Sequence, residues 1–439
     1  MAIVGVANSA LVAATTVLGP IPGALALFCL IALAVLAISP ISLVTILALL
    51  SHVVEVGSLD QATVRFVKWA TIGGIAWVAL LRVLSLRKTA SRTLTLGSFE
   101  KWFLIYIGWC LVCSLFADHP LGSTVEVLRQ AALFLVYVIA RHTVQTSRQA
   151  RIVMRAILAS VLLACFWSLI ADRAGFLRIT GLFVNSNALG QFLFIGLAAL
   201  LIGWRLERQR LMRVLFVVGA ILALLCLLMT WSRTSWGATF VMLVAYLILE
   251  KRKKLLLQLS SLILAGVLLF VSSQYFNTLL ATAGRLQFGT THRVTLWRFG
   301  TASALEHPVF GRGFDLTKGE LRNALPISGF GEAYTLAGSD QAFNPHNYFV
   351  LITLSAGIPG LLIFIIILSK LFKTQLRARS LARDHDSHFI ATILLAMLAG
   401  VVFIAMFEMG PLLGSGSYAN YLWILLGVVA AIRDRGLRF

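Results

Sequence analysis

The sequence predicts an all-α polytopic membrane protein with about 12 spanning helices, and 13 or 14 if the first 60 residues hold more than one. Three observations carry that prediction. Of 439 residues, 59% are hydrophobic and only 12% charged, against about 25% charged in a soluble domain. Several apolar runs approach the ~20 residues that a spanning helix needs. The basic residues, 37 Lys and Arg against 17 Asp and Glu for a net charge of +20, cluster between those runs. Such a balance would also suit nucleic-acid binding, but this distribution is that of a cytoplasmic membrane face, so no nucleic-acid partner is expected. The composition excludes an ordinary globular enzyme, a disordered chain and a coiled coil.

Residues 1–60 are apolar but broken by Pro20, Pro22 and Pro40, so one long kinked helix or two or three shorter ones remain open. Nothing there reads as a removable signal peptide. Further apolar segments fall at 64–83, 101–117, 124–141, 150–171, 184–203, 211–231, 234–249, 254–272, 346–370, 388–408 and 416–432. The chain divides into amino-terminal transmembrane helices (1–272), a large loop (273–345) and carboxyl-terminal transmembrane helices (346–439), forming one integrated membrane domain. Basic clusters recur at every second connection: Arg87 to Arg92, Arg141 to Arg151, Arg205 to Arg213, Lys251 to Lys254, Lys370 to Arg383, and Arg433 to Arg438. The alternate connections 118–123, 172–183, 232–233, 273–345 and 409–415 are poor in positive charge and belong to the opposite, outer face. Arg65 and Lys68 are a local exception. The large loop is long enough to be functional and to contain helices of its own. Its stretch from Thr291 to Leu305 is an amphipathic candidate for the membrane surface, ended by Pro308, Gly311 and Gly313.

The polar residues of the outer face are the candidates for chemistry. Arg233, in TWSRTSWGA, stands between two apolar helices, where an arginine is costly unless it faces water or an anion; a snorkelling residue is the alternative. His346, in NPHNYFVLITLSAGIPG, opens a spanning helix at the end of the loop. An imidazole there can take a proton near neutral pH, although a lone histidine is more often structural. Asn347 follows it, and Gly357 and Gly360 downstream imply close helix packing. Arg293 lies in the candidate surface helix, with His292 before it and Arg298 after; a solvated cationic face is the alternative. Two guanidinium groups and a titratable base suit a diphosphate leaving group and a hydroxyl nucleophile, since guanidinium binds phosphate oxygens bidentately without a metal. Residues 172–191 add Arg178, Asn185, Asn187 and Gln191 to the same face, with helix capping as the alternative for Asn185. Glu408 ends another helix and could orient a histidine or cap the interface.

Other signals carry less. Cys29, Cys110, Cys113, Cys165 and Cys226 all sit inside apolar runs, and the CxxC of Cys110 and Cys113 reads as buried thiols rather than as a redox or metal pair. Asp384-His385-Asp386 matches an acidic metal-binding pattern of sugar transferases but falls among arginines on the cytoplasmic face. No phosphate-binding loop or zinc-ligand spacing occurs, so no metal or cofactor is expected and ATP-driven transport has no engine in the chain.

Four landmarks in order resemble the bacterial O-antigen ligase and polymerase superfamily, which also includes O-oligosaccharyltransferases acting on pilins. They are GLFVNSNALGQ at 181–191, TWSRTSWGA at 230–238, HRVTLWRFGTASALEHPVFGRGF at 292–314 and HNYFVLITLSAGIPG at 346–360. The last fits the ligase pattern of a histidine, a polar residue and two spaced glycines, here His346, Asn347, Gly357 and Gly360. The resemblance implies a GT-C-like organisation and an inverting, metal-independent glycosyl transfer on the periplasmic face of the bacterial inner membrane. It implies a donor polysaccharide on undecaprenyl diphosphate and, for ligases, a sugar hydroxyl of lipid A–core as acceptor. It also implies that Arg233, Arg293 and His346 are catalytic, with Arg178, Asn187, Asn347 and Glu408 at the substrate. Glu408 matches only loosely the acidic residue that the family places late in the chain. Polymerase and protein glycosylation are alternatives within the family. A secondary transporter is the rival from another class, but it would carry ionisable residues near the midplane in paired halves, and here most charges map to interfaces and no halves repeat.

Overall fold

The computed structural model describes residues 96–171, 179–181, 183, 185–258, 261, 285–315, 345–382, 384–409, 412–413 and 417–435. The segments expected within 1–60, at 64–83 and over most of 254–272 lie outside them, as does most of the large loop. Ten long helices stand among the described residues: α1 (Ser98–Leu115), α2 (Pro120–Thr143), α3 (Ser147–Ala171), α4 (Ser186–Leu206), α5 (Arg210–Met229), α6 (Arg233–Leu249), α7 (Arg285–Glu306), α8 (Tyr348–Ser380), α9 (His385–Phe407) and α10 (Ser417–Arg435). Seven of them, α1 to α5, α8 and α9, are long and apolar enough to cross a membrane, and α6 is a shorter apolar helix. The apolar segments read between 101 and 432, apart from 254–272, coincide with helices to within a few residues, with two differences. The helix in the loop starts at Arg285 rather than Thr291. Helix α8 runs on to Ser380 rather than 370, because the basic stretch after Lys370 continues the helix beyond the apolar run.

Local signals set the helix starts. Asn185 caps α4 by accepting from Ala188 N, Asn347 caps α8 by accepting from Phe349 N and Val350 N, and Asp384 caps α9 through Ser387 N. Each satisfies an amide that the first turn leaves without an intrahelical partner. Helix α4 is the most enclosed span, packing against α3, α5, α6, α9 and α10. Glycines permit these approaches: a Cβ at Gly190 would strike Ser235, and one at Gly196 would strike Val161. Between apolar helices, close backbone contact of this kind replaces the hydrophobic drive that water supplies elsewhere.

The helix ends fall into two groups. At one end Glu100 meets Arg141 and Arg141 meets Asp434; Arg155 meets Glu207, Arg205 meets Asp386, and Glu250 meets Arg379 and His388. Among the described residues this end gathers the basic connections, as their alternation along the sequence predicted. The opposite end gathers the amino termini of α2, α4, α6 and α8 with the carboxyl termini of α1, α5 and α9.

Candidate functional site

The ends of α4, α8 and α9 and the middle of α7 come together around Glu408. Helix α9 stops there in extended conformation, and the side chain turns inward, leaving the residue only 5% exposed. A carboxylate so buried is tolerable only if paired. Arg293 Nη2 of α7 donates to its Oε1 at 2.8 Å, Asn187 Nδ2 of α4 donates to the same oxygen at 3.0 Å, and His346 Nδ1 at the head of α8 meets Oε2 at 2.9 Å. With an ionised carboxylate as acceptor, Nδ1 is the donor of that last contact, and a neutral imidazole then keeps its lone pair on Nε2. His346 itself has a φ of 48°, a left-handed conformation that non-glycine residues seldom hold unless their surroundings impose it. The imposing contacts lie on both sides. Asn347 starts α8, and Trp297 Nε1 of α7 donates to the Pro345 carbonyl at 2.9 Å.

Arg233 reaches the same end by a different route. Helices α6 and α9 pack antiparallel: Gly237 lies against Phe403 and the Ala238 carbonyl against Gly400, while Glu250 meets Thr392 and His388 at the far end. One turn back from Gly237, about 6 Å along the axis, Arg233 comes level with Glu408. It is exposed and has no ion-pair partner among the described residues. Trp231 beside it is half exposed with a φ of 52°, in the tight turn that joins α5 to α6.

The glycine pair of α8 has a specific reason. Gly357 breaks the helix with φ 69° and ψ −176°, a conformation essentially limited to glycine. The segment that follows α7 docks into the break: Arg312 N and Gly313 N donate to the carbonyls of Leu354 and Ser355, Ile358 N donates to the Pro308 carbonyl, and Trp109 Nε1 donates to the Ala356 carbonyl. A Cβ on Gly357 would overlap the Val309 carbonyl. The HPVFGRGF and GIPG landmarks are thus two halves of one contact, which fixes α7 against α8 and so Arg293 against His346. Spacing alone implied close packing there but not the positive φ.

Among the expected site residues, His346, Arg293, Asn187 and Glu408 therefore form one hydrogen-bonded cluster, with Arg233 at its level. Asn347 adjoins the cluster, but its side-chain oxygen is engaged in capping α8. Arg178 lies outside the described residues. Glu408, expected as one of several polar residues at the substrate, is the hub, with its oxygens taken by protein groups. Sequence reasoning missed Trp297 and Trp109, whose indole N–H groups bond backbone carbonyls; nothing in their local pattern distinguishes them from interfacial aromatics. In the Asp384-His385-Asp386 run, Asp384 caps α9 while Arg205 contacts both His385 and Asp386.

This is a polytopic α-helical membrane protein with a histidine–carboxylate–arginine cluster at the end of the bundle away from its basic face. The family model described as O-antigen ligase matches residues 218–365, about a third of the chain, and supports its membership of the O-antigen ligase superfamily. The matched stretch contains Arg233, Arg293, His346 and both glycines of α8; Asn187 and Glu408 lie outside it. A search of curated proteins finds no match.

Proposed function

We propose that the chain is an O-antigen ligase, transferring polysaccharide from undecaprenyl diphosphate to a sugar hydroxyl of lipid A–core at the periplasmic face of the inner membrane. The observation that carries this reading is the Glu408 cluster, which joins an imidazole to a guanidinium in a chain with an O-antigen ligase match. The periplasmic assignment is supported by the basic clusters at the opposite end, since cytoplasmic ends hold the excess of Lys and Arg.

In this reading the acceptor hydroxyl attacks the anomeric carbon from the face opposite the diphosphate, inverting it. His346 Nε2 takes the hydroxyl proton as the new carbon–oxygen bond forms, and Glu408 holds the imidazole in the required tautomer. The bond to the diphosphate breaks, and the negative charge that develops there is met by Arg233 and Arg293, whose planar forks match phosphate oxygens. The diphosphate linkage already holds the energy for transfer, so no nucleotide is consumed. Asn187 fixes Glu408 rather than touching the reacting atoms.

Gene deletion followed by staining of lipopolysaccharide tests the reading. The expected result is core without any O-antigen, with carrier-bound polymer still present. Core bearing a single repeat would identify a polymerase instead, and unchanged lipopolysaccharide with an unglycosylated pilin would identify a protein glycosyltransferase.

A further inference from the structure

Within the bundle, α1, α2, α8 and α10 bring together polar side chains that the proposed chemistry does not use. An aromatic layer sets their register. Trp423 of α10 meets Phe99 and Phe103 of α1 and Phe134 and Tyr137 of α2, with ring centroids 5.2 to 6.4 Å apart. One turn outward on each helix, on the same face, stand Asn420, Tyr106 and Gln130. Tyr348 of α8 joins them, since its ring and that of Tyr106 both lie against Phe364, at 5.4 and 6.3 Å. None of the four residues is more than 5% exposed. Yet Tyr106 Oη, Tyr348 Oη, Gln130 Oε1 and both polar atoms of Asn420 have no hydrogen-bond partner among the described residues. The two hydroxyls are neighbours beside Cys110 but do not complete a hydrogen bond to each other. Unmet polar atoms are rare in a protein interior, and a group of them from four helices calls for an explanation.

We infer that these groups bind water, and that this water anchors Tyr348 and so positions His346, two residues before it. The positioning role rests on the function proposed above; the water site does not. The unmet set selects its ligand. The two amide carbonyl oxygens only accept, Asn420 Nδ2 only donates, and the hydroxyls do either. A cation would face the Nδ2 donor, and an anion would face both carbonyl oxygens. Water donates and accepts, and a buried water typically makes about three bonds to such groups. Tyr348 is the first residue of α8. Tying its hydroxyl to α1, α2 and α10 fixes where α8 starts, and with it His346, whose left-handed backbone needs its surroundings to hold it.

The test is radiolytic hydroxyl-radical labelling of the full chain in detergent, in which radicals made from bound water mark the side chains beside it. Tyr106 and Tyr348 should be labelled although buried. On mixing into heavy-oxygen water, their label should exchange more slowly than that of exposed Trp231. In Asn420→Leu the labelling of Tyr106 should fall severalfold, and Gln130→Leu serves in the same way if that variant does not fold. Tyr348→Phe should lower kcat for transfer roughly ten- to a hundredfold with the KM for the lipid-linked donor unchanged, because a displaced base costs rate rather than binding. Unlabelled Tyr106 and Tyr348 in the folded wild type, the result if the amides and hydroxyls bond one another directly, would overturn the water site. Undiminished labelling in both leucine variants would overturn it too. An unchanged kcat in Tyr348→Phe, or a rise in donor KM that accounts for the loss, would overturn the positioning role. A wild type that labels as expected but forms no transfer product would count against the ligase reading and not against the water.

Discussion

A carboxylate that touches an arginine, an asparagine and a histidine at once cannot be altered without stranding one of them. Glu408→Gln keeps the shape but can no longer fix the Nδ1–H tautomer, so transfer should fall about a hundredfold with only a modest change in Tm. Assay of purified protein beside a melting curve checks this. Restored activity in Glu408→Asp, and not in Glu408→Ala, would separate a positioning role from a purely structural one. Arg233→Lys keeps the charge but loses the bidentate fork, and transfer should fall roughly tenfold through a raised KM for the donor. At this scale much of the site was legible. Arginine and histidine are conspicuous at the ends of apolar helices because they are costly there. Glu408 was harder to rank, because an acid at a helix end has the same local pattern whether it caps an interface or anchors three partners from distant segments.

Among the described residues helix positions were legible, since apolar run length reports them directly, whereas the break within α8 was not. GIPG reads as small residues for packing, and the left-handed backbone at Gly357 exists only because residues 308–313, distant in sequence, fill the gap. Gly357→Ala should therefore destabilise the protein by about 1–3 kcal/mol and lower transfer by loosening α7 from α8, measurable as a lower Tm and as faster amide exchange around Leu354. A second element-level expectation concerns the contact of α3 with the carboxyl-terminal cap of α4. Arg155 clasps Glu207 through two hydrogen bonds of 2.7 and 3.0 Å. Burial pushes the Glu207 carboxyl up, but Arg155 and the N–H groups of Gln209 and Arg208 outweigh it and hold the pKa below its ordinary value. The resulting stability is present above the unfolded carboxylate pKa of about 4.3 and is lost as pH falls through the lower folded value. Glu207→Gln should cost about 1 kcal/mol at pH 7, little because Arg155 is partly exposed, and the difference from wild type should vanish in strong acid.

Across the whole molecule, the alternation of basic and neutral connections foretold which helix ends share a side, and the ion pairs at the basic end bear out that grouping. What the alternation could not convey is convergence: Asn187, Arg293, His346 and Glu408 come from four separate segments and meet only because α4 and α8 each pack on α9 while α7 is pinned to α8. In the proposed function, that meeting point is where a lipid-borne diphosphate reacts with a sugar hydroxyl. The most direct measurement incubates the purified protein with lipid-linked polysaccharide and lipid A–core and follows the joined product. Wild type should form it, and His346→Ala should lose at least about a hundredfold in rate while still binding the donor. Undiminished product from His346→Ala, or uptake of the glycan into vesicles by a wild-type protein that forms no product, would contradict the account.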